Sequence, residues 1–197
     1  SSPTDLRSVK LSFIEALDPK DTTSSQRFQD EYEKAIKKGV ELTAKSVKAC
    51  GFELVPTISF YAASDPIQAK EYGETAVKQG SWLIVGPRRS NHYLLLVKGS
   101  LETPSVSLMA SSEEVAELGA LHLSLAPTNS KMAHVAAIES ASKLKNIAVK
   151  NYISIVNADC LTCRDFAKQF DEQAKALGLI KTAEMSVIGD HPNMVEI

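Results

Sequence analysis

The most informative segment of the sequence reads Trp82-Leu83-Ile84-Val85-Gly86-Pro87-Arg88-Arg89-Ser90. Its first four residues form a short, fully apolar run of the kind that is buried on both faces of a parallel sheet. Residues 86–90 are a turn-forming loop, and a helix is expected from about residue 91 to residue 101. The segment is therefore one strand–loop–helix unit, the building block of α/β proteins.

The same unit recurs on both sides of this segment. Helical periodicity predicts helices that end at Gly51, at Gly80, near residue 145 and at Gly178. Pro56 suggests an edge position or a bulge for the strand that contains it. Further strands are predicted at residues 9–14, 52–61, 104–108, 122–125, 152–156 and 182–187.

This alternation of strands and helices predicts an α/β fold, with right-handed crossovers and a doubly wound parallel sheet. The pattern falls into two halves, residues 1–122 and residues 123–197, and residues 122–125 open the second half. Residues 189–197 look like a loop entering a helix.

Composition excludes several classes of protein. The formal net charge of -2 and the pI near 6.1 leave no basic footprint for nucleic acid. The longest apolar run, residues 93–97, is far shorter than the roughly 20 residues of a membrane span. The sequence starts at Ser1 without a Met, as a processed or trimmed chain would.

Ligands of open parallel sheets bind outside the carboxyl ends of the strands, where helix N-termini point their amides. The loops to consider are therefore residues 17–25, 86–90, 109–112 and 159–163. The first three are rich in Ser, Thr and Gly, whose hydroxyls and amides suit a carboxylate or another polar head group. The alternative is that these side chains are ordinary helix caps.

An ordered set of short motifs resembles the type I periplasmic binding proteins, above all the branched-chain amino-acid receptors of ABC transporters. That family carries a "DPxxA" helix start, a "GPxxS" loop and a "VPxIxxxAS" stretch in this order. The counterparts here are Asp65-Pro66-Ile67-Gln68-Ala69, Gly86-Pro87-Arg88-Arg89-Ser90 and Pro104-Ser105-Val106-Ser107-Leu108-Met109-Ala110-Ser111-Ser112. The likeness extends along almost the whole chain.

The resemblance implies a Rossmann-like ligand-binding lobe over residues 1–122 and part of a second, similar lobe over residues 123–197. The two lobes would close over a small polar ligand, an amino acid or a similar carboxylate. Carried over by position, the ligand-binding residues are Ser90, Ala110 through its backbone, Ser111 and Ser112. The turns that bear Ser90 and Ser112 are expected on a shared rim of one parallel sheet. Arg89, with Arg88, adds positive charge for a second acidic group, although such side chains are often simply solvated.

One departure from the family lies in the second lobe. Members usually carry an aromatic residue, often "YG", after its first strand, whereas this chain has Leu161-Thr162-Cys163. Cys160 and Cys163 can form a local disulfide or remain two thiols; a thioredoxin-like redox pair or a metal site are the alternatives. Cys50 is left over.

No enzyme motif, cofactor fingerprint or metal-binding spacing is found, so no catalytic residue, cofactor or metal is predicted. The four histidines, His92, His122, His134 and His191, are interpreted as surface or helix-cap residues. Carboxylates near strand ends, Asp18, Asp21, Asp159 and Asp165, keep a metal-assisted hydrolase conceivable, but capping and exposure explain them more simply.

The family resemblance implies an extracytoplasmic or periplasmic receptor, with a lipid anchor upstream of Ser1 as an option. Its partners would be the small-molecule ligand and an ABC permease or a membrane receptor. The alternative function is a regulatory lipoprotein that keeps the same fold and recognises another protein. A CxxC-dependent oxidoreductase is a third hypothesis.

Overall fold

The structure is a computed structural model that describes residues 6–17, 22–146 and 150–188. The predicted terminal segment 189–197 and part of the predicted loop 17–25 lie outside the described residues, as do Asp18, Asp21 and His191. The chain divides into two compact units, residues 1–110 with 118–125, and residues 111–117 with 126–197. The predicted boundary between residues 122 and 123 stays a prediction.

The first unit is built on one parallel sheet of five strands in the order β2-β1-β3-β4-β5. The strands are β1 (Arg7–Leu17), β2 (Phe52–Ala62), β3 (Leu83–Gly86), β4 (Ser105–Ser107) and β5 (His122–Ser124). Pro56 lies in the edge strand β2, where its missing N–H costs the ladder nothing, and the β1–β2 register is unbroken. The predicted edge position is confirmed, without a bulge.

Three helices of this unit connect the strands: α1 (Thr22–Ala49), α2 (Gln68–Lys78) and α3 (Ser90–Gly99). Along the strand order, α1 leads from β1 outward to β2 in one direction, whereas α2 and α3 lead to β3 and β4 in the opposite direction. Right-handed crossovers therefore place α1 on one face of the sheet and the other two helices on the opposite face. The doubly wound parallel sheet is confirmed.

Glycines end two of these helices as predicted. Gly51 (φ 84°) and Gly80 (φ 74°) follow α1 and α2 in the left-handed region, which residues with a Cβ rarely adopt. The start of α2 differs from the expectation. Asp65 lies before a turn, and its carboxylate accepts a bond from the Gln68 side chain (3.0 Å) while the helix begins only at Gln68.

The second unit contains α4 (Glu113–Ala116), α5 (Asn129–Lys143), α6 (Leu161–Ala176) and a parallel pair of strands, β6 (Asn151–Asn157) and β7 (Ile180–Val187). Ala137, Ala174 and Leu179 form its buried core, with Tyr152 and Phe170 packed against it. The sequence pattern predicts that residues 122–125 open the second half of the chain. Instead, β5 pairs with β4 in the sheet of the first unit.

Helices α2 and α3 are in close contact at glycine positions. A Cβ built on Gly99 would lie 2.2 Å from the Lys70 carbonyl oxygen, and backbone cannot move aside as a flexible side chain can.

We expect Gly99→Ala to lower the free energy of unfolding by about 1–3 kcal/mol, measured by urea denaturation. The matched control is Gly39→Ala in α1, where a Cβ meets nothing within 4 Å. It should raise that free energy by about 0.5–1 kcal/mol; equal stability of the two variants would contradict this packing.

Candidate functional site

The carboxyl ends of β1, β2, β3 and β4 lie at one edge of the first unit's sheet, because the strands are parallel. Gly86 ends β3, and a Cβ at this position would lie 2.8 Å from the Tyr93 ring, so only glycine lets the loop run close to α3. Ser90 is the first residue of α3 and is only 2% exposed. The first turn of a helix has N–H groups without intrahelical acceptors and a partial positive charge, which favours an anion there.

Ser90 does not cap its helix, since Arg89 holds the extended N-cap position and makes no side-chain capping bond. The simple alternative of a serine cap therefore does not apply to Ser90. Arg89 is exposed. This exposure fits both interpretations of Arg89, a ligand contact and a simply solvated side chain, so its role stays a prediction.

Ala110 lies at the same sheet edge, because Ser107 forms hydrogen bonds both to the loop after β3 and to the loop after β4. The buried Ser107 hydroxyl donates to the Pro87 carbonyl (2.8 Å) and accepts the Ala110 N–H (3.1 Å). The predicted backbone role of Ala110 is therefore narrowed to its carbonyl oxygen, since its N–H already has an acceptor. A carbonyl suits an ammonium group better than a carboxylate.

Ser111 and Ser112 fall in the second unit, and both are buried. Ser112 is the N-cap of the short α4, yet its side chain makes no capping hydrogen bond. The Ser111 carbonyl accepts the Asn129 N–H (2.8 Å), and the Glu113 carboxylate accepts the Ser130 N–H (2.8 Å). These bonds fix the segment after Ala110 against the start of α5. The expectation that the Ser90 and Ser112 turns share one rim stays a prediction.

Glu15, a residue that the sequence interpretation did not use, lies near the end of β1 and is 3% exposed. Its carboxylate accepts the Ala16 N–H (2.9 Å) and, more weakly, the Arg88 N–H (3.3 and 3.4 Å). Desolvation by burial raises the pKa of this carboxyl, although those bonds and the Arg88 charge oppose the shift. The signal in the sequence was an acid that stands between the apolar pairs Phe13-Ile14 and Ala16-Leu17.

Arg88 is engaged within the protein. Its Nε lies 3.8 Å from the Glu15 carboxylate, and its guanidinium lies 4.4 Å from the centre of the Phe28 ring. Of the two arginines that the sequence offered for a second acidic group, Arg88 is therefore already paired. Arg89 is the better candidate for a ligand contact.

His92 and His122 correct the interpretation of the histidines as surface or helix-cap residues, because both are buried, His92 within α3 and His122 in β5. His92 Nδ1 lies 2.8 Å from the Tyr61 hydroxyl, and burial lowers the pKa of His92 to about 4. Burial also raises the pKa of Tyr61 well above 10. The pair is therefore uncharged at neutral pH. His122 Nδ1 lies 2.9 Å from the Ser105 hydroxyl.

Cys160 and Cys163 form a disulfide at the start of α6, and Cys50 is a free, exposed thiol. Within the part of the chain that the structure describes, no group of three or more His, Cys, Asp or Glu side chains could hold a metal ion. No helix of the described residues is long and apolar enough to cross a membrane.

No protein-family model and no curated protein matches the sequence. Solved structures do. The branched-chain amino acid transporter substrate binding protein LivJ of Streptococcus pneumoniae, in complex with isoleucine, has a TM-score of 0.73 at 16% identity, over 96% of this chain and 52% of that one. An ABC transporter solute binding protein of R. palustris, in complex with 4-hydroxybenzoate, has a TM-score of 0.70 at 18% identity, over 92% and 47%. The leucine binding protein LivK of Thermotoga maritima has a TM-score of 0.69 at 14% identity, over 95% and 50%.

The chain therefore has the α/β fold of the type I periplasmic binding proteins, as the motifs implied. It spans about half the length of the solved proteins that it matches. These neighbours are binding proteins, not enzymes. At such low identity the likeness establishes the fold, and a function must be argued from the residues at the sheet edge.

Proposed function

We propose that the chain is part of an extracytoplasmic solute-binding protein that captures a small carboxylate for an ABC transporter or a membrane sensor. The observation that carries the proposal is the geometry at the carboxyl edge of the first sheet. There, the buried Ser90 opens α3 beside the loop of Ala110, at the position where open α/β sheets bind ligands. We infer a binding role rather than catalysis.

The residues at this edge suggest how a carboxylate is recognised. The Ser90 hydroxyl and the first-turn amides of α3 donate hydrogen bonds, and the helix dipole and the exposed Arg89 favour a negative charge. The Ala110 carbonyl would accept from an ammonium group. Ser111 and Ser112 are also proposed as ligand-binding residues.

The ligand class is proposed from the molecules that are bound to two structural neighbours. LivJ was solved with isoleucine and the R. palustris protein with 4-hydroxybenzoate. These two molecules share a carboxylate and differ in almost everything else, so we propose that the carboxylate is the group recognised by Ser90. The ammonium group of an amino acid would also donate to the Ala110 carbonyl. A benzoate has no ammonium group, so the carbonyl would bind water instead.

A thermal-shift screen of the protein against branched-chain amino acids and hydroxybenzoates tests the proposal. A ligand that binds only the folded state at 100 times its Kd stabilises it by about 2.7 kcal/mol. For a chain of this size, that free energy raises the Tm by roughly 5–10 °C. Matched controls are the amides of the same compounds, which lack the charge and should produce no shift. If no small acid raises the Tm and one protein is captured robustly instead, the regulatory alternative is favoured over transport.

A further inference from the structure

The Cys160–Cys163 disulfide opens α6, a helix of 16 residues that begins at Leu161. Cys160 is the N-cap, and its Sγ accepts the Cys163 N–H at 3.1 Å. Both cysteines are only half-buried, so a small thiol can reach them. A sulfur that accepts an amide at a helix N-terminus is a good leaving group, because the same contact stabilises its thiolate.

A buried side chain connects this disulfide to the candidate ligand residue Ser111. Asn129 is 0% exposed, and its side-chain Nδ2 donates to the carbonyl of Thr162, which lies between the two cysteines (3.3 Å). The backbone N–H of Asn129 donates to the Ser111 carbonyl (2.8 Å). Ser111, Asn129 and Thr162 therefore form a continuous chain of contacts within the second unit.

Among the described residues, the bond to Thr162 is the one hydrogen bond that the Asn129 side chain makes. Its Oδ1 is buried and has no hydrogen-bond partner among the described residues. Because a buried amide that loses its last partner carries the full cost of desolvation, the Thr162 bond matters for where Asn129 lies. Thr162 lies in the first turn of α6 between the two cysteines, so the disulfide restricts the backbone of this segment.

We propose that Cys160–Cys163 is a thiol–disulfide exchange site for a dithiol reductant, and that its redox state controls the position of Ser111 through Asn129. The control of ligand affinity rests on the function proposed above. The exchange itself and the movement at Asn129 do not. Oxidised protein holds Ser111 in place, and reduced protein releases the start of α6 and with it the Asn129 contact.

The exchange balances as a two-electron transfer. A thiolate of the reductant forms a bond to Cys163 Sγ while the S–S bond breaks, and the electron pair goes to Cys160 Sγ, where the Cys163 amide stabilises the thiolate. The second thiol of the reductant then displaces Cys163. The products are the reductant's disulfide and two protein thiols, and the two protons come from the reductant.

The test uses the protein in a Cys50→Ala background. Free thiols are then alkylated and counted by mass spectrometry, and only those of Cys160 and Cys163 contribute to the count. Dithiothreitol is the probe under native conditions, and hydrogen exchange at the Asn129 amide is the readout. Reduction should yield two new thiols in the folded protein and speed exchange at Asn129 by roughly tenfold. The Ile84 amide, which donates to the Pro104 carbonyl in the first unit, is the internal control and should not respond.

Two variants separate the redox effect from general loosening. Cys160→Ser/Cys163→Ser should exchange like the reduced protein whether or not dithiothreitol is present. Asn129→Ala removes the side-chain hydrogen bond to the Thr162 carbonyl. Reduction should therefore no longer change hydrogen exchange at the amide of residue 129, although both thiols still form. A disulfide that resists dithiothreitol until the protein unfolds, or an Asn129 amide that ignores reduction, overturns the proposal.

The affinity of L-isoleucine or 4-hydroxybenzoate is measured in both redox states of the same samples. Weaker binding after reduction supports control of the ligand site. If neither compound binds in either state, the function proposed above has failed for these probes, while thiol counting and hydrogen exchange still decide the redox proposal. Equal affinity in both states, with a confirmed release of Asn129, overturns the coupling to the ligand.

Discussion

Replacing Ser90 by alanine is expected to weaken binding of the carboxylate ligand by roughly 10- to 100-fold. A hydrogen bond to a charged group contributes about 1.5–3 kcal/mol, and each 1.4 kcal/mol is tenfold in Kd. Ser90 is buried at the first turn of α3, where its hydroxyl and the helix amides can act on the same anion. Isothermal titration calorimetry of the ligand found in the thermal screen measures the change.

Ser81→Ala is the matched control for this prediction. Ser81 precedes β3 at the amino edge of the sheet, and its hydroxyl lies 2.6 Å from that of Ser12. Its loss should leave ligand affinity unchanged. Urea denaturation of both variants shows whether the alanine at position 90 affects binding or merely folding. A Ser90→Ala protein that binds as tightly as the wild type would remove Ser90 from the site.

His92 is expected to make the first unit sensitive to acid. Its folded pKa is about 4, below the ordinary value of 6.5, because burial beside Tyr61 disfavours the charged ring. The unfolded chain therefore takes up the proton first. Stability that is fully present above pH 6.5 is lost as the pH falls through 4, by about 3 kcal/mol in total. Urea denaturation at a series of pH values between 4 and 7 measures this loss.

Two variants separate the contributions of His92 and Glu15, which act in opposite directions. The folded pKa of Glu15 is raised, so its contribution is present below the unfolded pKa of 4.5 and is lost as the pH rises through the folded value. Glu15→Gln should therefore steepen the loss of stability in acid, and His92→Gln should abolish it. His134→Gln, on an exposed part of α5, is the control and should behave as wild type. An unchanged acid response in His92→Gln would contradict the assignment.

Most of the fold was predictable because its signals are local. Apolar runs such as the one before Gly86 become central strands, and helix ends coincide with glycines that take a positive φ, as at Gly51. Pro56 indicated an edge strand correctly. The pairing of β5 with β4 could not be predicted, because sheet membership depends on the partner strand and not on the strand's own sequence.

The candidate site was predictable only in part. Spacing and family motifs pointed to the loop of Ser90, but they could not show that Ser107 uses the Ala110 N–H or that Arg88 is paired with Glu15. The contacts that sequence reasoning missed join residues far apart in the chain, such as Tyr61 with His92 and Asn129 with Thr162. Nothing in a single sequence reports such pairs.

Amide chemical shifts followed by NMR during a ligand titration test the proposed carboxylate site most directly. The carboxylate that raises the Tm should shift the backbone amides of Ser90 and Asn91 saturably, and its uncharged amide analogue should not. Saturable shifts confined to the opposite edge of the sheet, around Ser81, would contradict the account, as would an equal response to the uncharged analogue.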